Sequence, residues 1–316
     1  MKYSLNKVLV IGLGLIGGSF AKALKKRHLV DEVSGYDLNS AECELGLQLG
    51  VIDKQVTSLL DAVAEADLVM LAVPVKAMEQ LLEAIAPALR PDTLVTDAGS
   101  TKMNIIAAAQ RVFPTIPATF VPGHPIAGAE KSGVTAANAD LFVRHKVILT
   151  PVPETDPLAV SLVAELWQSL GAEVLQMEPH RHDEVLAATS HLPHLLAFSL
   201  VDTLAHEEEK KDIFRYAAGG FRDFTRIAAS DPVMWHDICQ ANRDALLDQI
   251  DQFTMGLSRL RQAIDTEDSQ TLLGIFTRAR IAREYFSTLL TGTAYELSST
   301  PPSVETPNLG VDKPGE

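Results

Sequence analysis

The chain predicts an α/β fold: a doubly wound, mostly parallel sheet in the N-terminal part, followed by an all-helical C-terminal domain. Three observations predict it. Short apolar runs alternate with helical patterns from residue 7 to about 150. Asp67-Leu68-Val69-Met70-Leu71-Ala72-Val73 is almost continuously apolar, as a parallel strand covered on both faces must be. From about residue 180, helical spacing replaces the alternation almost throughout. The expected division is a first domain over residues 1–178, a helical domain over 179–296 and a disordered tail over 297–316, where Ser, Thr, Pro and Gly accumulate.

Val8–Ile11 reads as the first strand, and Gly12-Leu13-Gly14-Leu15-Ile16-Gly17 turns it into a helix carrying Phe20, Ala23 and Leu24. Val33–Tyr36 is the second strand, closed by Asp37 twenty residues after Gly17. Pro74 ends the Asp67–Val73 strand, and Met78, Leu81, Leu82 and Ile85 then recur at helical spacing. Thr93–Thr96 leads into Asp97-Ala98-Gly99-Ser100, with a helix through Ile105, Ile106 and Ala109 beyond. Phe120-Val121 and Val147–Leu149 are expected as later strands of the same sheet. After the Pro151–Pro157 connection, a helix through Leu162, Val163, Leu166 and Leu170 leads to Gly171 and to Glu173–Gln176, a further βα-type addition. Asp231-Pro232 marks a helix start, with Asp as N-cap and Pro in the first turn. Ile238, Ala241, Ala245, Leu246, Ile250, Phe253 and Leu257 then form a stripe suited to a core or a subunit interface.

The glycine triplet has a physical reading at each position. Gly12 permits a tight turn, Gly14 lets backbone approach a pyrophosphate, and Gly17 lets the helix pack close to the sheet. Leu15 and Ile16 open a helix whose free N–H groups and positive dipole end favour phosphate. Asp37 stands at the distance of an adenosine ribose, where it accepts from the hydroxyls and repels a 2′-phosphate, so NAD is expected over NADP. Val73 and Pro74, closing another strand, join the expected cofactor-binding set. Lys2, Lys7 and the apolar Val8–Ile16 also fit a secretory signal. Cleavage there would discard this loop, so the N terminus is read as retained and the protein as cytoplasmic.

Composition narrows the classes further. A net charge of −14, from 27 basic and 41 acidic residues, argues against nucleic acid or an anionic membrane as main partner. No apolar run reaches the roughly 18 residues of a membrane span. The two cysteines, Cys43 and Cys239, form no disulfide framework and no C-x-x-C or zinc pattern.

Three clusters carry candidate chemistry. Gly123-His124-Pro125-Ile126-Ala127-Gly128 follows a strand and puts His124 at the crevice mouth, where an imidazole accepts a proton near neutral pH. A surface turn is the plainer alternative. His180-Arg181-His182-Asp183 and Ser190-His191-Leu192-Pro193-His194 gather four histidines without any structural zinc spacing. Core or cap histidines compete there with substrate-binding ones, and no metal is expected. Gly219 through Ala228 offers Arg226 as a two-pronged carboxylate clamp, with Trp235 beyond it as a wall for an organic substrate. Arg222 or Arg226 pairing with Asp223 or Asp231 is the alternative.

Together these motifs, in this order from about residue 7 to 290, resemble the prephenate dehydrogenase family, which includes arogenate and cyclohexadienyl dehydrogenases. The resemblance implies NAD-dependent oxidative decarboxylation of a cyclohexadienol to a phenol. It makes His124 the acceptor of the hydroxyl hydrogen bond and Ser100 the residue orienting that hydroxyl and the nicotinamide. It makes Arg226 the carboxylate holder, sets His182, His194, Gly219 and Trp235 along the substrate pocket, and makes Glu130 a gating ion-pair residue. It further implies a homodimer through the helical domain. Ala129 departs from relatives that carry a hydroxyl there, which leaves prephenate and arogenate both open as substrates.

Two rival functions remain at this stage. A β-hydroxyacid dehydrogenase shares the N-terminal pattern but relies on a lysine in its second domain. Here the helical domain holds only Lys210 and Lys211, within a charged run. A non-catalytic NAD-sensing protein would not require His124, Ser100 and Arg226 together.

Overall fold

The computed structural model describes residues 5–128, 132–207, 210–291 and 293. Glu130, Ala129 and the 297–316 tail lie outside them. By internal contacts the chain divides into two compact units, Met1–Ile250 and Asp251–Glu316. The expected boundary at 178/179 falls inside the first unit.

In that unit the strands are β1 (Lys7–Ile11), β2 (Glu32–Tyr36), β3 (Lys54–Gln55), β4 (Leu68–Leu71), β5 (Leu94–Asp97) and β6 (Phe120–Val121). They form one parallel sheet in the order β3-β2-β1-β4-β5-β6. The strand order reverses between β1 and β4, which opens a ligand crevice at their C-terminal ends. Alternate residues serve opposite faces. Val8, Val10, Leu68, Met70 and Leu94 feed one buried cluster, and Leu9, Ile11, Val69, Leu71 and Val95 the other. This two-sided burial is why these strands are apolar throughout. The covering helices are α1 (Leu15–Lys26), α2 (Ser40–Gln48), α3 (Leu59–Glu65), α4 (Met78–Ile85) and α5 (Met103–Val112).

The expectation of a single sheet is corrected. β7 (Gly123–Ile126), β8 (Lys146–Leu149) and β9 (Glu173–Gln176) make a second sheet, with β8 antiparallel to β7 and parallel to β9. Pro122 has no N–H to extend the β5–β6 ladder. The following Gly123 N–H goes instead to Asp97 Oδ1 at 3.1 Å. The chain then leaves the first sheet, and Val147–Leu149 pairs with it there. α6 (Pro157–Ser169) covers this sheet through Val163, Leu166 and Trp167, and Trp167 packs on Phe20 and Phe142.

Helices follow: α7 (Pro179–Leu186), a π turn (Ala187–His191), α8 (Leu192–Ala205), α9 (Lys210–Arg215), α10 (Gly219–Thr225) and α11 (Pro232–Ala241). Asp231 caps α11 as expected, accepting from Met234 N at 2.8 Å. The continuous segment Pro179–Ala205, 27 residues, is long and on average apolar enough to cross a membrane, although no uninterrupted apolar run in it reaches that length. Polar letters such as Ser190, His191 and His194 interrupt the run, while the surrounding Leu, Ala and Phe raise its average. The same segment places His182 and Asp183 in the interior.

α12 (Arg243–Asp265) and α13 (Ser269–Leu289) complete the helices. In the second unit α13 is capped by Asp268, which accepts from Thr271 N at 3.0 Å. Phe253, Leu257, Ile264, Leu273 and Phe276 are exposed there, so the downstream end of the predicted apolar stripe does not lie in the core of this chain.

One glycine tests the packing of α1. A Cβ on Gly17 would stand 1.9 Å from Gly12 O and 2.9 Å from Ala72 Cβ. Gly17→Ala is therefore expected to push α1 off the sheet and to destabilise the domain by about 1–3 kcal/mol. Denaturant unfolding checks this, and an unchanged midpoint contradicts it.

Candidate active site

At the C-terminal end of β1, Gly12 adopts φ +94°, and any Cβ there would meet Ala72 O and the Val73 side chain. Gly14 is the N-cap of α1, contributes no capping side chain and is followed by no acid in the first turn. A Cβ on Gly14 would meet nothing within 4 Å. The start of α1, at Leu15, Ile16 and Gly17, thus lies behind an open cradle with nothing negative in its first turn. Asp37 directly follows β2 and folds back on this loop: Oδ2 accepts from Leu13 N at 2.8 Å and Oδ1 from Asn39 N at 2.9 Å. A dinucleotide's pyrophosphate and ribose fit these residues.

Across the crevice, β7 fixes His124 by pairing it with Ile148. The surface-turn alternative fails, because His124 is only 9% exposed. Its Nδ1 lies 2.9 Å from His182 Nε2, and His182 Nδ1 lies 2.8 Å from Asp183 Oδ1. Asp183 also accepts from Lys102 N at 2.8 Å and Met103 N at 2.9 Å, opposite the start of α5. Burial pushes its carboxyl upward, but these hydrogen bonds, led by that from His182, hold it below the usual range. Asp183 is therefore ionised and only accepts, so His182 Nδ1 donates to it. Burial keeps His182 neutral despite Asp183. Its Nε2 then accepts from His124 Nδ1–H. Burial first, and then the Lys102 cation, depress His124 well below an ordinary histidine. His124 is thus neutral with an acceptor lone pair on Nε2, the form a general base requires.

This geometry corrects the expectation that His182 lines the substrate pocket. Its side chain is fully buried, with both ring nitrogens taken by Asp183 and His124. The i, i+58 pairing with His124 is invisible in sequence.

The rest of the site gathers around Trp235. His194 stacks on it with ring centroids 3.8 Å apart and planes at 22°. His194 Nδ1 lies 2.8 Å from Ser190 O, to which it donates, leaving Nε2 as the acceptor. Burial lowers its pKa, and the Arg226 charge lowers it further. Arg226 opens a 3₁₀ turn (Arg226–Ala229) directly after α10. Arg222 pairs with Asp223 at 3.2 Å on the surface. Gly219 begins α10, and a Cβ there would meet nothing within 4 Å. Ser100 is half-buried in the turn between β5 and α5.

Sequence reasoning missed Asn242 and Lys102 as site components, and it held His191, Asp183 and Asp97 only as members of motifs with no role of their own. His191 is buried on the π turn, with Nδ1 3.1 Å from Asn242 Nδ2, and burial lowers its pKa to about 4. Asn242 Nδ2 also donates to Asp183 O at 2.8 Å. Asn242 and Lys102 gave no local signal. Among the described residues no cluster of His, Cys, Asp and Glu is able to hold a metal ion.

A doubly wound sheet, a glycine turn open to phosphate and a neutral buried imidazole at the crevice define a nicotinamide-dependent dehydrogenase. Profiles of the prephenate dehydrogenase nucleotide-binding domain and dimerization domain match residues 20–176 and 178–278. The chain is 42% identical to the cyclohexadienyl dehydrogenase of Zymomonas mobilis over 87% of its own length and 94% of the relative's. It is 40% identical to the prephenate dehydrogenase of Bacillus subtilis, over 88% and 76%. Prephenate dehydrogenase from A. aeolicus, solved with hydroxyphenyl propionate and NAD+, superposes with a TM-score of 0.84 at 38% identity, covering 90% of this chain and 100% of that one. The chain belongs to the prephenate dehydrogenase family.

Proposed function

We propose that the protein catalyses the NAD-dependent oxidative decarboxylation of prephenate to 4-hydroxyphenylpyruvate, the step that leads to tyrosine, with arogenate, which gives tyrosine directly, as a second substrate. The observation that carries this reading is the Asp183–His182–His124 chain, which delivers a neutral imidazole with Nε2 open as acceptor. The names of the relatives and the NAD+ complex of the A. aeolicus enzyme support it.

Gly12, Gly14, Leu15, Ile16, Gly17, Asp37, Val73 and Pro74 would hold NAD, with Asp37 favouring it over NADP. Bound there, NAD would supply the acceptor for the hydride that leaves the ring carbon bearing the hydroxyl. His124 Nε2 takes the hydroxyl proton as that carbon becomes carbonyl-like, and Ser100 orients the hydroxyl. The electron pair of the breaking carbon–carboxylate bond completes the aromatic ring as carbon dioxide departs, so no further group is required for that cleavage, and the phenolate oxygen takes its proton back from His124 Nε2. Arg226 holds the substrate side-chain carboxylate; Gly219, His194 and Trp235 surround the ring. Glu130 is retained as the gating residue that the resemblance implies.

The direct test mixes purified protein with NAD and prephenate or arogenate and follows NADH absorbance and the phenolic product. NADH from neither substrate overturns the reading, and NADH from arogenate alone reassigns the substrate. Arg226→Ala is expected to raise the prephenate KM about 10-fold to 100-fold, the value of a charged hydrogen bond, with kcat little changed. A wild-type KM in that variant moves the clamp elsewhere.

The functional division is taken at 178/179, with residues 179–296 forming the substrate and dimerisation domain. A homodimer through this region fits the matched dimerization profile and the exposed apolar residues of α12 and α13. A cytoplasmic setting fits Cys43 and Cys239, both free.

A further inference from the structure

We infer that Lys102 is a positioning residue for His124: with Asp97 it forms a fully buried pair that clamps the Gly123 peptide from both sides and so aims the imidazole that follows it. The inference rests on His124 being the base proposed above. Lys102 Nζ donates to Gly123 O at 2.6 Å, and Asp97 Oδ1 accepts from Gly123 N at 3.1 Å. Lys102 Nζ also bonds Asp97 Oδ2, and both side chains have zero exposure. The Lys102 main-chain N–H meets Asp183 Oδ1 at 2.8 Å, the same oxygen that accepts from His182. One residue thus fixes His124 through its backbone and through its ring partner.

A buried ion pair is weak evidence for stability, since an apolar pair of similar volume often serves as well. An apolar pair offers nothing to the N–H and C=O of Gly123, however, and it carries no charge toward His124. The groups facing the imidazole are His182 and Asp183 from α7, His191 from the π turn, Asp97 from β5 and Lys102 from the start of α5. Burial and the Lys102 cation act in the same direction, toward the neutral ring.

The test uses Lys102→Met in the full chain. The expected result is a kcat about 100-fold lower, the cost of displacing a reacting group by about 1 Å, with the KM for NAD unchanged. The acid limb of kcat/KM is expected to move to higher pH, because a repelling cation has gone. Imidazole ¹⁵N spectra, with His124 assigned by its loss in His124→Asn, are expected to show that ring titrating at higher pH than in the wild type. Lys102→Met strands the Asp97 carboxylate in the core, so the double variant Asp97→Asn, Lys102→Met is measured alongside it. That variant removes both charges of the pair, so neither partner is left stranded, and is expected to show the same fall in kcat. A folded variant of either kind with wild-type kcat and an unshifted His124 titration overturns the inference. Failure of both to fold also overturns it, by making the pair a requirement of folding. Absence of NADH production by the wild-type protein would instead fault the functional reading, while the ring titration still decides whether Lys102 governs His124.

Discussion

His124→Asn is expected to lower kcat by about 10²-fold to 10⁴-fold, the contribution of a positioned general base, while NAD affinity stays at the wild-type level. The two halves of this result have separate physical origins. The asparagine amide still donates toward His182 Nε2, as His124 Nδ1–H does at 2.9 Å, so β7 and α7 keep their contact. It carries nothing basic at the position of Nε2. The glycine turn and Asp37 follow β1 and β2, in a different sheet from β7, and are untouched by the change. Steady-state rates with a calorimetric NAD titration check both halves. A variant with near wild-type kcat removes His124 from the role of base.

Asp183→Asn is expected to cost kcat a similar factor, although Asp183 is two residues removed from the reacting atoms. An amide NH₂ turned toward His182 Nδ1 reverses the proton order along the chain. His182 must then carry its proton on Nε2 and donate to His124 Nδ1, which places the His124 proton on Nε2, where the substrate hydroxyl needs an acceptor. If the amide oxygen faces His182 instead, it keeps the Lys102 N–H as well, and the NH₂ group faces the Met103 N–H donor now 2.9 Å from the carboxylate. Unchanged KM for NAD with a depressed kcat is the expected signature. A kcat within a few-fold of wild type would show that the proton order does not depend on Asp183.

Much of this architecture was legible in the sequence, for identifiable reasons. The strand apolarity of Val8–Ile11 and Leu68–Leu71 announces burial on both faces, and Gly12 and Gly17 stand where a Cβ collides with backbone. Asp231-Pro232 marks the start of α11 through local chemistry alone. The second sheet was not legible, because Gly123-His124-Pro125 has little intrinsic strand preference and becomes a strand only through pairing with Val147 and Ile148. The two-residue β3 is too short to leave a pattern. In the site, His124, His194 and Trp235 were visible as residue types in suggestive places. The partners that set the protonation of His124 were not: Asp97, Lys102 and Asp183 are charged letters, which composition assigns to the surface, yet they are buried by contacts spanning 21 to 81 residues.

The central claim is that the protein holds His124 neutral, with its acceptor nitrogen free, through the range where an ordinary histidine titrates. The pH dependence of kcat/KM for prephenate tests this most directly, since its acid limb reports the base of the free enzyme. Because the His124 pKa lies well below 6.5, the base form persists as pH falls through 6.5 and is lost only further down. The expected profile is therefore level across pH 6.5, with its decline beginning below that value. A profile already at half its maximum at pH 6.5 or above would contradict the account.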